Sequence, residues 1–316
     1  MQAAAARARA AADGAAVRTA AGRLPQAVRY AALGDSLTEG VGDPAPGGWR
    51  GWAALLSTGL SEEGGQLFNT ACSGALTRDV AQEQLPLARA YRPHLASVLV
   101  GVNDTLRDTF DIDRITGNLD TVLGTLHRDG TVLLTACLPD PGRMLGLPAL
   151  LGRPLARRMR AVNTVVHALS QRYEALHLHA ADPPWVADRA AWSVDRLHPN
   201  ELGHRILARE FHALLTEAGL TAAPPPSAGT DTAGPGAAAQ AWWMATRGSR
   251  WVVARCRDLL PDLMRLAAAE GRHRLVGSTA VLDLRSHRAA LHALAALAPA
   301  QPLRGQPEEG ANASLV

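Results

Sequence analysis

The sequence predicts an α/β fold built on a parallel sheet with helices on both faces. Three observations carry that expectation. Five short stretches, Val28–Leu33, Leu67–Ala71, Leu95–Val100, Thr131–Ala136 and Ala175–His179, have the length and residue types of strands. Segments with helical spacing separate them, so strand and helix alternate from 27 to 220. Polar segments rich in turn residues follow several of these strands, at the sheet edge where open α/β folds bind their ligands.

Taken in order, residues 1–26 form an alanine- and arginine-rich extension that Pro25 brings to an end. Val28–Leu33 is the first strand, followed by Gly34-Asp35-Ser36-Leu37-Thr38-Glu39-Gly40. Asp43 to Gly48 reads as a loop from its proline and glycine content. Trp52, Leu55, Leu56 and Leu60 recur at helical spacing and predict a helix from Trp49 to about Glu63. The second strand leads into Cys72-Ser73-Gly74-Ala75, and Thr77 is the expected N-cap of the next helix. The third strand has an unbroken apolar run, as a strand buried on both faces should. It delivers Gly101-Val102-Asn103-Asp104. A helix from about Asp113 to His127 follows, then the fourth strand.

Residues 143–152 read as a loop able to cover a cleft, and Arg153 to Tyr173 as a helix. The fifth strand precedes a long segment that ends in Asp195-Arg196-Leu197-His198. Asn200 is the expected N-cap of a helix over Glu201–Ala218. Residues 221–240, with Pro224-Pro225-Pro226, have the composition of a linker. Residues 241–300 form a partly helical extension, with a helix expected near 284–298, and 301–316 a disordered tail.

Composition narrows the chemistry. Apolar residues make up 47% of the chain and the net charge is only +3. The sequence contains no lysine. A Schiff-base lysine, a P-loop lysine and a Ser-Lys dyad are therefore excluded. No dense basic block or nucleic-acid-binding signature is present, so no nucleic-acid partner is expected. The three cysteines, Cys72, Cys137 and Cys256, are far apart and form no CxxC or Cys/His motif. Neither a disulfide framework nor a zinc site is supported by that spacing. Arg7, Arg9, Asp13 and Arg18 interrupt the amino terminus, which does not read as a signal peptide, and no run of 18 apolar residues occurs. A cytoplasmic protein is the default expectation.

A serine hydroxyl is a weak nucleophile unless a base takes its proton and a third group orients that base. Ser36 follows a strand, His198 offers an imidazole, the side chain type suited to a base near neutral pH, and Asp195 lies three residues before it, a spacing that lets a carboxylate reach Nδ1–H in a turn. Gly74 can present its N–H without a Cβ in the way, and Asn103 offers a side-chain amide donor. The blocks Gly34-Asp35-Ser36-Leu37-Thr38-Glu39-Gly40, Gly101-Val102-Asn103-Asp104 and Asp195-Arg196-Leu197-His198-Pro199-Asn200 occur in this order. With a looser block at Asn69–Gly74, the chain resembles the SGNH (GDSL) hydrolase family over about residues 27–220.

The resemblance implies a flavodoxin-like three-layer sandwich whose five-stranded parallel sheet has the order 2-1-3-4-5. It implies an esterase or lipase with catalytic Ser36, Asp195 and His198, and an oxyanion hole from the Ser36 N–H, the Gly74 N–H and the Asn103 amide. Neither a metal nor an organic cofactor is called for, and the expected substrate is a small ester. An acyltransferase using the same acyl-enzyme remains an alternative, as does an idle module that binds carbohydrate or protein.

Other residues read more plainly. Asp35 and Asp104 are expected to hold loops, and Thr38 or Glu39 to cap the helix after Ser36. Asp140 is a second choice for the orienting acid. His177, His179 and His204 are expected to be structural or at the surface. Cys72 is set aside as a nucleophile because it has no paired histidine of its own. Trp242, Trp243 and Trp251 pack on the enzyme or, on the alternative reading, touch a membrane surface.

Overall fold

A computed structural model of the chain describes residues 23–230, 264–297 and 299. The expected extension over 1–26 therefore lies mostly outside the described residues. So do Trp242, Trp243, Trp251, Cys256, residues 231–240 of the proposed linker and the tail at 301–316.

Five strands, β1 (Val28–Gly34), β2 (Gly65–Asn69), β3 (Leu95–Leu99), β4 (Val132–Cys137) and β5 (Leu176–His179), pair in parallel in the spatial order β2-β1-β3-β4-β5. Counted along the sheet strands this is the order 2-1-3-4-5. β3 and β4 are buried along their whole length. Helices cover both faces of the sheet, which is why these strands are mostly apolar. The edge strands β2 and β5 are only partly buried and carry the polar residues Gln66, His177 and His179. Residues 44–49 add a two-stranded antiparallel hairpin, Pro44–Ala45 with Gly48–Trp49.

The helices used below are α1 (Ser36–Glu39), α2 (Gly51–Ser57), α3 (Ile112–Arg128), α4 (Ala149–Arg172), α5 (Glu201–Glu217) and α6 (Thr279–Ala295). Several boundaries differ from the sequence reading, each for a local reason. β2 ends two residues early because Asn69 closes an Asx turn, accepting from Ala71 N at 3.0 Å and donating to Thr38 O at 2.9 Å. α2 is shorter than expected. Trp49 belongs to the hairpin, and the Ser57 and Thr58 hydroxyls bond back to Ala54 O and Leu55 O where the helix stops. The expected loop at 143–152 is largely helical. Asp140 caps a turn at Pro141–Met144 through Gly142 N, and α4 begins at Ala149.

Thr77 is not an N-cap. Leu76 holds that position, its N–H donating to Asp79 at 2.9 Å. The Thr77 N–H and hydroxyl instead bind the buried Asp104 carboxylate, at 3.1 and 2.8 Å. This joins the segment after β2 to the segment after β3. Burial pushes the Asp104 carboxyl up to about 6, although the Thr77 bonds favour its charged form.

The C-terminal end of β1 is held unusually closely. Gln84 brackets Gly34, accepting from its N–H and donating to its carbonyl, both at 2.8 Å. A Cβ on Gly34 would stand 2.2 Å from Leu99 O. Glycine is what lets β1 and β3 converge immediately before Asp35 and Ser36.

Beyond the sheet, residues 264–275 are helical and α6 packs on α3 and α4. Arg157 of α4 ties this region down, reaching Glu270 at 3.0 Å and Asp283 at 2.9 Å. Among the described residues, no helix is long and apolar enough to cross a membrane.

Two outcomes are expected in chemical denaturation. Gly34→Ala loses at least about 2 kcal/mol through overpacking against backbone, and Gln84→Leu about 1–3 kcal/mol because it strands the Gly34 N–H, while the carbonyl keeps the Cys72 N–H. Asp104 should also give an inverted pH response. Its folded pKa, about 6, lies above the ordinary 3.8. Its contribution is thus fully present below pH 3.8 and is lost as pH rises through about 6. Asp104→Asn should flatten the dependence of the midpoint between about pH 4 and pH 7. An unchanged slope refutes the assignment.

Candidate active site

Ser36 is the first residue of α1, and Asp35 is the N-cap, its Oδ1 accepting from Leu37 N at 3.1 Å. The expected capping by Thr38 or Glu39 is replaced by this one. Thr38 is fully buried, and Glu39 accepts from the Ser73 hydroxyl, tying α1 to the loop that contains Gly74. At the first position of a helix, the N–H of Ser36 has no intrahelical acceptor.

His198 Nε2 lies 2.7 Å from Ser36 Oγ, and His198 Nδ1 lies 2.6 Å from Asp195 Oδ2. A carboxylate accepts only, so Nδ1 carries the hydrogen and Nε2 presents its lone pair to the Ser36 O–H. The turn that makes this possible is tight. Asp195 Oδ1 accepts from the N–H groups of Leu197 and His198 at 2.9 and 3.0 Å. Arg196 between them takes φ +58°, a left-handed backbone that costs roughly 1–2 kcal/mol in a non-glycine residue. Ser193 closes the loop, its N–H and hydroxyl both donating to His198 O.

Burial alone would raise the Asp195 carboxyl. The His198 hydrogen bond and charge, with the two backbone donors, outweigh it and hold the group below its ordinary value. Asp35 goes the other way. Burial pushes it up to about 6 despite the Leu37 N–H and the nearby His198. Two carboxyl groups next to one serine are thus set in opposite directions by their surroundings.

Gly74 lies in the loop after β2 with φ +86°. Asn103 lies in a short helical turn beyond β3. Its amide donates to Ala75 O at 3.1 Å and lies 3.4 Å from Asp35 Oδ2. Asn103 therefore stands between the Gly74 loop and the Ser36 turn. The remaining candidates lie elsewhere. Asp140 caps its own turn and makes no bond to His198, and Cys72 is exposed in the loop after β2. His177 and His179 sit on β5.

Three features of the site escaped the sequence reading. Arg50 binds Asp43 through two nitrogens, at 2.9 and 3.1 Å, and Glu201 at 2.9 Å, while Arg205 binds the same Glu201 oxygen at 2.9 Å. Asp43, Glu201 and Arg205 are buried. This network fastens the loop after α1 to the start of α5, three residues beyond His198 in the chain. His204 is fully buried and accepts from Trp52 N through Nδ1 at 3.1 Å, so its Nε2–H donates to Val41 O. Burial pushes it down to about 4, which keeps it neutral. Finally, Gly42 lets the loop press on Pro199, since a Cβ there would stand 1.9 Å from Pro199 O. A glycine in a turn was the one visible signal, and nothing in the sequence said what it faced.

Beside Ser36 opens an apolar pocket of about 70 Å³, lined by Leu37, Val102, Leu138, Trp185, Trp192 and Leu207 among others. The Trp185 and Trp192 rings stack at 5.7 Å. A second cavity of about 550 Å³ adjoins it, sharing Pro139, Met144 and Trp192, and presents Arg143, Arg189 and Arg196.

The model of the GDSL-like Lipase/Acylhydrolase family matches residues 32–206. Among solved structures, a variant of Axe2, an acetyl-xylooligosaccharide esterase from Geobacillus stearothermophilus, is 21% identical with a TM-score of 0.51, covering 64% of this chain and 99% of that one. LAE5, an α/β hydrolase from the metagenome of Lake Arreo in Spain, is 20% identical with a TM-score of 0.47, covering 61% of this chain and 95% of its own. At 21% identity the likeness to the Axe2 variant is one of fold. No curated protein matches the chain. The family match runs from the end of β1 through β5 and takes in the Ser36 and His198 loops, more than half of the chain, and so this chain belongs to the GDSL-like lipase/acylhydrolase family and is an ester-bond hydrolase.

Proposed function

We propose that the ester is cleaved through an acyl-enzyme on Ser36, with His198 as base, Asp195 as the group that orients it, and a short acyl chain as the part of the substrate held in the pocket. The observation that carries this reading is the unbroken line from Ser36 Oγ to His198 Nε2 at 2.7 Å and from His198 Nδ1 to Asp195 at 2.6 Å. As Ser36 Oγ attacks the carbonyl carbon, its proton passes to Nε2. The imidazolium that forms is stabilised by the Asp195 carboxylate. Negative charge on the former carbonyl oxygen is met by the Ser36 and Gly74 N–H groups and by the loosely held second N–H of Asn103. His198 then returns the proton to the leaving alcohol oxygen. A water, deprotonated by the same imidazole, attacks the acyl carbon and releases the acid with Ser36 restored.

The pocket volume supports a short acyl group, because about 70 Å³ walled by leucines and tryptophans leaves little room for a chain. The wider cavity, with its three arginines, suits a polar alcohol half.

Ser36→Ala should lower kcat on p-nitrophenyl acetate by about 10³-fold or more and abolish labelling by a fluorophosphonate. Asn103→Ala should cost about 10²–10³ in kcat with a smaller change in KM. Wild-type rates in Ser36→Ala would remove the serine mechanism. In a series of p-nitrophenyl esters, acetate and butyrate should exceed octanoate and dodecanoate in kcat/KM. The reverse order would show that the pocket does not set the acyl length.

A further inference from the structure

The carboxyl ends of β4 and β5 carry a sulfur and nitrogen cluster that ester cleavage does not use. Register partners in a parallel pair lie on one face, and so do residues two apart on a strand. Cys137 pairs with His179, and Thr135 with His177. All four side chains therefore share a face, and α4 covers it, with the Asn163 carbonyl and the His167 and Ser170 side chains turned toward them. The candidate ligand atoms of Cys137, His177 and His179 lie within 4.8 Å of one another. Cys137 Sγ is 3.1 Å from His177 Nε2. The His167 ring packs 5.2 Å from His177 and 5.3 Å from His179.

The direction of the hydrogen bonds shows which nitrogen of His177 is available. The Ser170 hydroxyl donates to Val166 O at 2.6 Å. Thr135 then donates to Ser170 Oγ at 2.7 Å, and His177 Nδ1–H donates to Thr135 Oγ1 at 2.9 Å. Nε2 is left with its lone pair facing the thiol. An imidazole with one nitrogen fixed as a donor to an outer hydroxyl and the other bare is the form in which histidine binds metals. On α4, His167 Nδ1 is buried and makes no hydrogen bond, while Nε2 faces the Gln171 amide.

We propose that Cys137, His177 and His179 bind a divalent cation of the zinc class, with the His167 ring packed beside both imidazoles. One thiolate with imidazoles is a donor set that such ions favour over magnesium or calcium. On binding, a sulfur–metal bond forms and the thiol proton leaves to solvent. His179 is exposed, which gives the ion a way in. The site would clamp two strand ends whose next residues, Leu138 and Ala180, line the apolar pocket. It is independent of the roles proposed for Ser36 and His198.

The test uses the full-length protein, stripped with a chelator and titrated with Zn²⁺ against a colorimetric chelator, then with Co²⁺ for its absorption spectrum. One ion per chain, a raised Tm and a thiolate-to-cobalt charge-transfer band are expected. Cys137→Ser should remove that band, and Cys72→Ser should leave it intact. Cys137→Ser and the surface change His179→Gln should each weaken Zn²⁺ by at least about tenfold, and Thr135→Val by about 10–100-fold through the imidazole it orients. The proposal fails if less than one ion binds, if the cobalt spectrum lacks the thiolate band, if Cys72→Ser removes it, or if both ligand variants bind as wild type does.

Discussion

One contact between distant parts of the chain decides whether this molecule has a site at all. The 2.7 Å hydrogen bond from Ser36 to His198 joins residues 162 positions apart. Neither partner is held by the other. Ser36 is placed by the convergence of β1 and β3 at Gly34 and by the Asp35 cap. His198 is placed by the Asp195 turn and by the start of α5. The bond forms because separate anchors bring two rigid loops to the same point. The Arg50 network and the neutral His204 then tie the loop after α1 to α2 and α5, and Asp43, Glu201, His204 and Arg205 are buried. Breaking a buried ion pair strands a charge out of water, so these groups resist the small shifts that would separate the serine from the imidazole.

Burial also sorts the acids near Ser36. Asp195 keeps its charge because three donors converge on it. Asp35 and Asp104 are more deeply buried than they are compensated, and both are pushed up to about 6. Their carboxyl groups hold loop N–H groups in place at some expense in stability at neutral pH. A conformational cost lies nearby in a different segment, with Arg196 left-handed in the same turn as Asp195. Such costs cluster where side chains must be aimed rather than merely packed.

Much of the fold was legible. Central strands buried on both faces must be largely apolar, and the run at Leu95–Val100 was read as a buried strand on that ground. Edge strands and helix ends were read less well, because side chains settle them. Asn69 stopped β2 early, Asp79 rather than Thr77 served the next helix start, and Asp140 turned an expected loop into helix. Each of these residue types permits several local structures, and partners elsewhere in the chain choose among them. The candidate residues Ser36, Asn103, Asp195 and His198 were visible because the chemistry restricts them to few residue types at fixed local spacings. The Arg50–Glu201 pair and the Cys137–His177–His179 cluster have no such local spacing. They are made by strand register and helix docking, which no short window contains.

The linear order of residues alone therefore determined which stretches become strands, which polar blocks follow them, and that Asp195 is close enough to serve His198. Those are local matters, settled by side-chain size, polarity and separations of a few residues. Tertiary structure alone decided that Asn103 stands against the Gly74 loop, that Asp43 and Glu201 share one arginine, and that β4 and β5 bring a thiol beside two imidazoles. The physical reason is the same in each case. A side chain's charge, tautomer and reach depend on what is packed around it, and that packing exists only once distant segments have excluded water together.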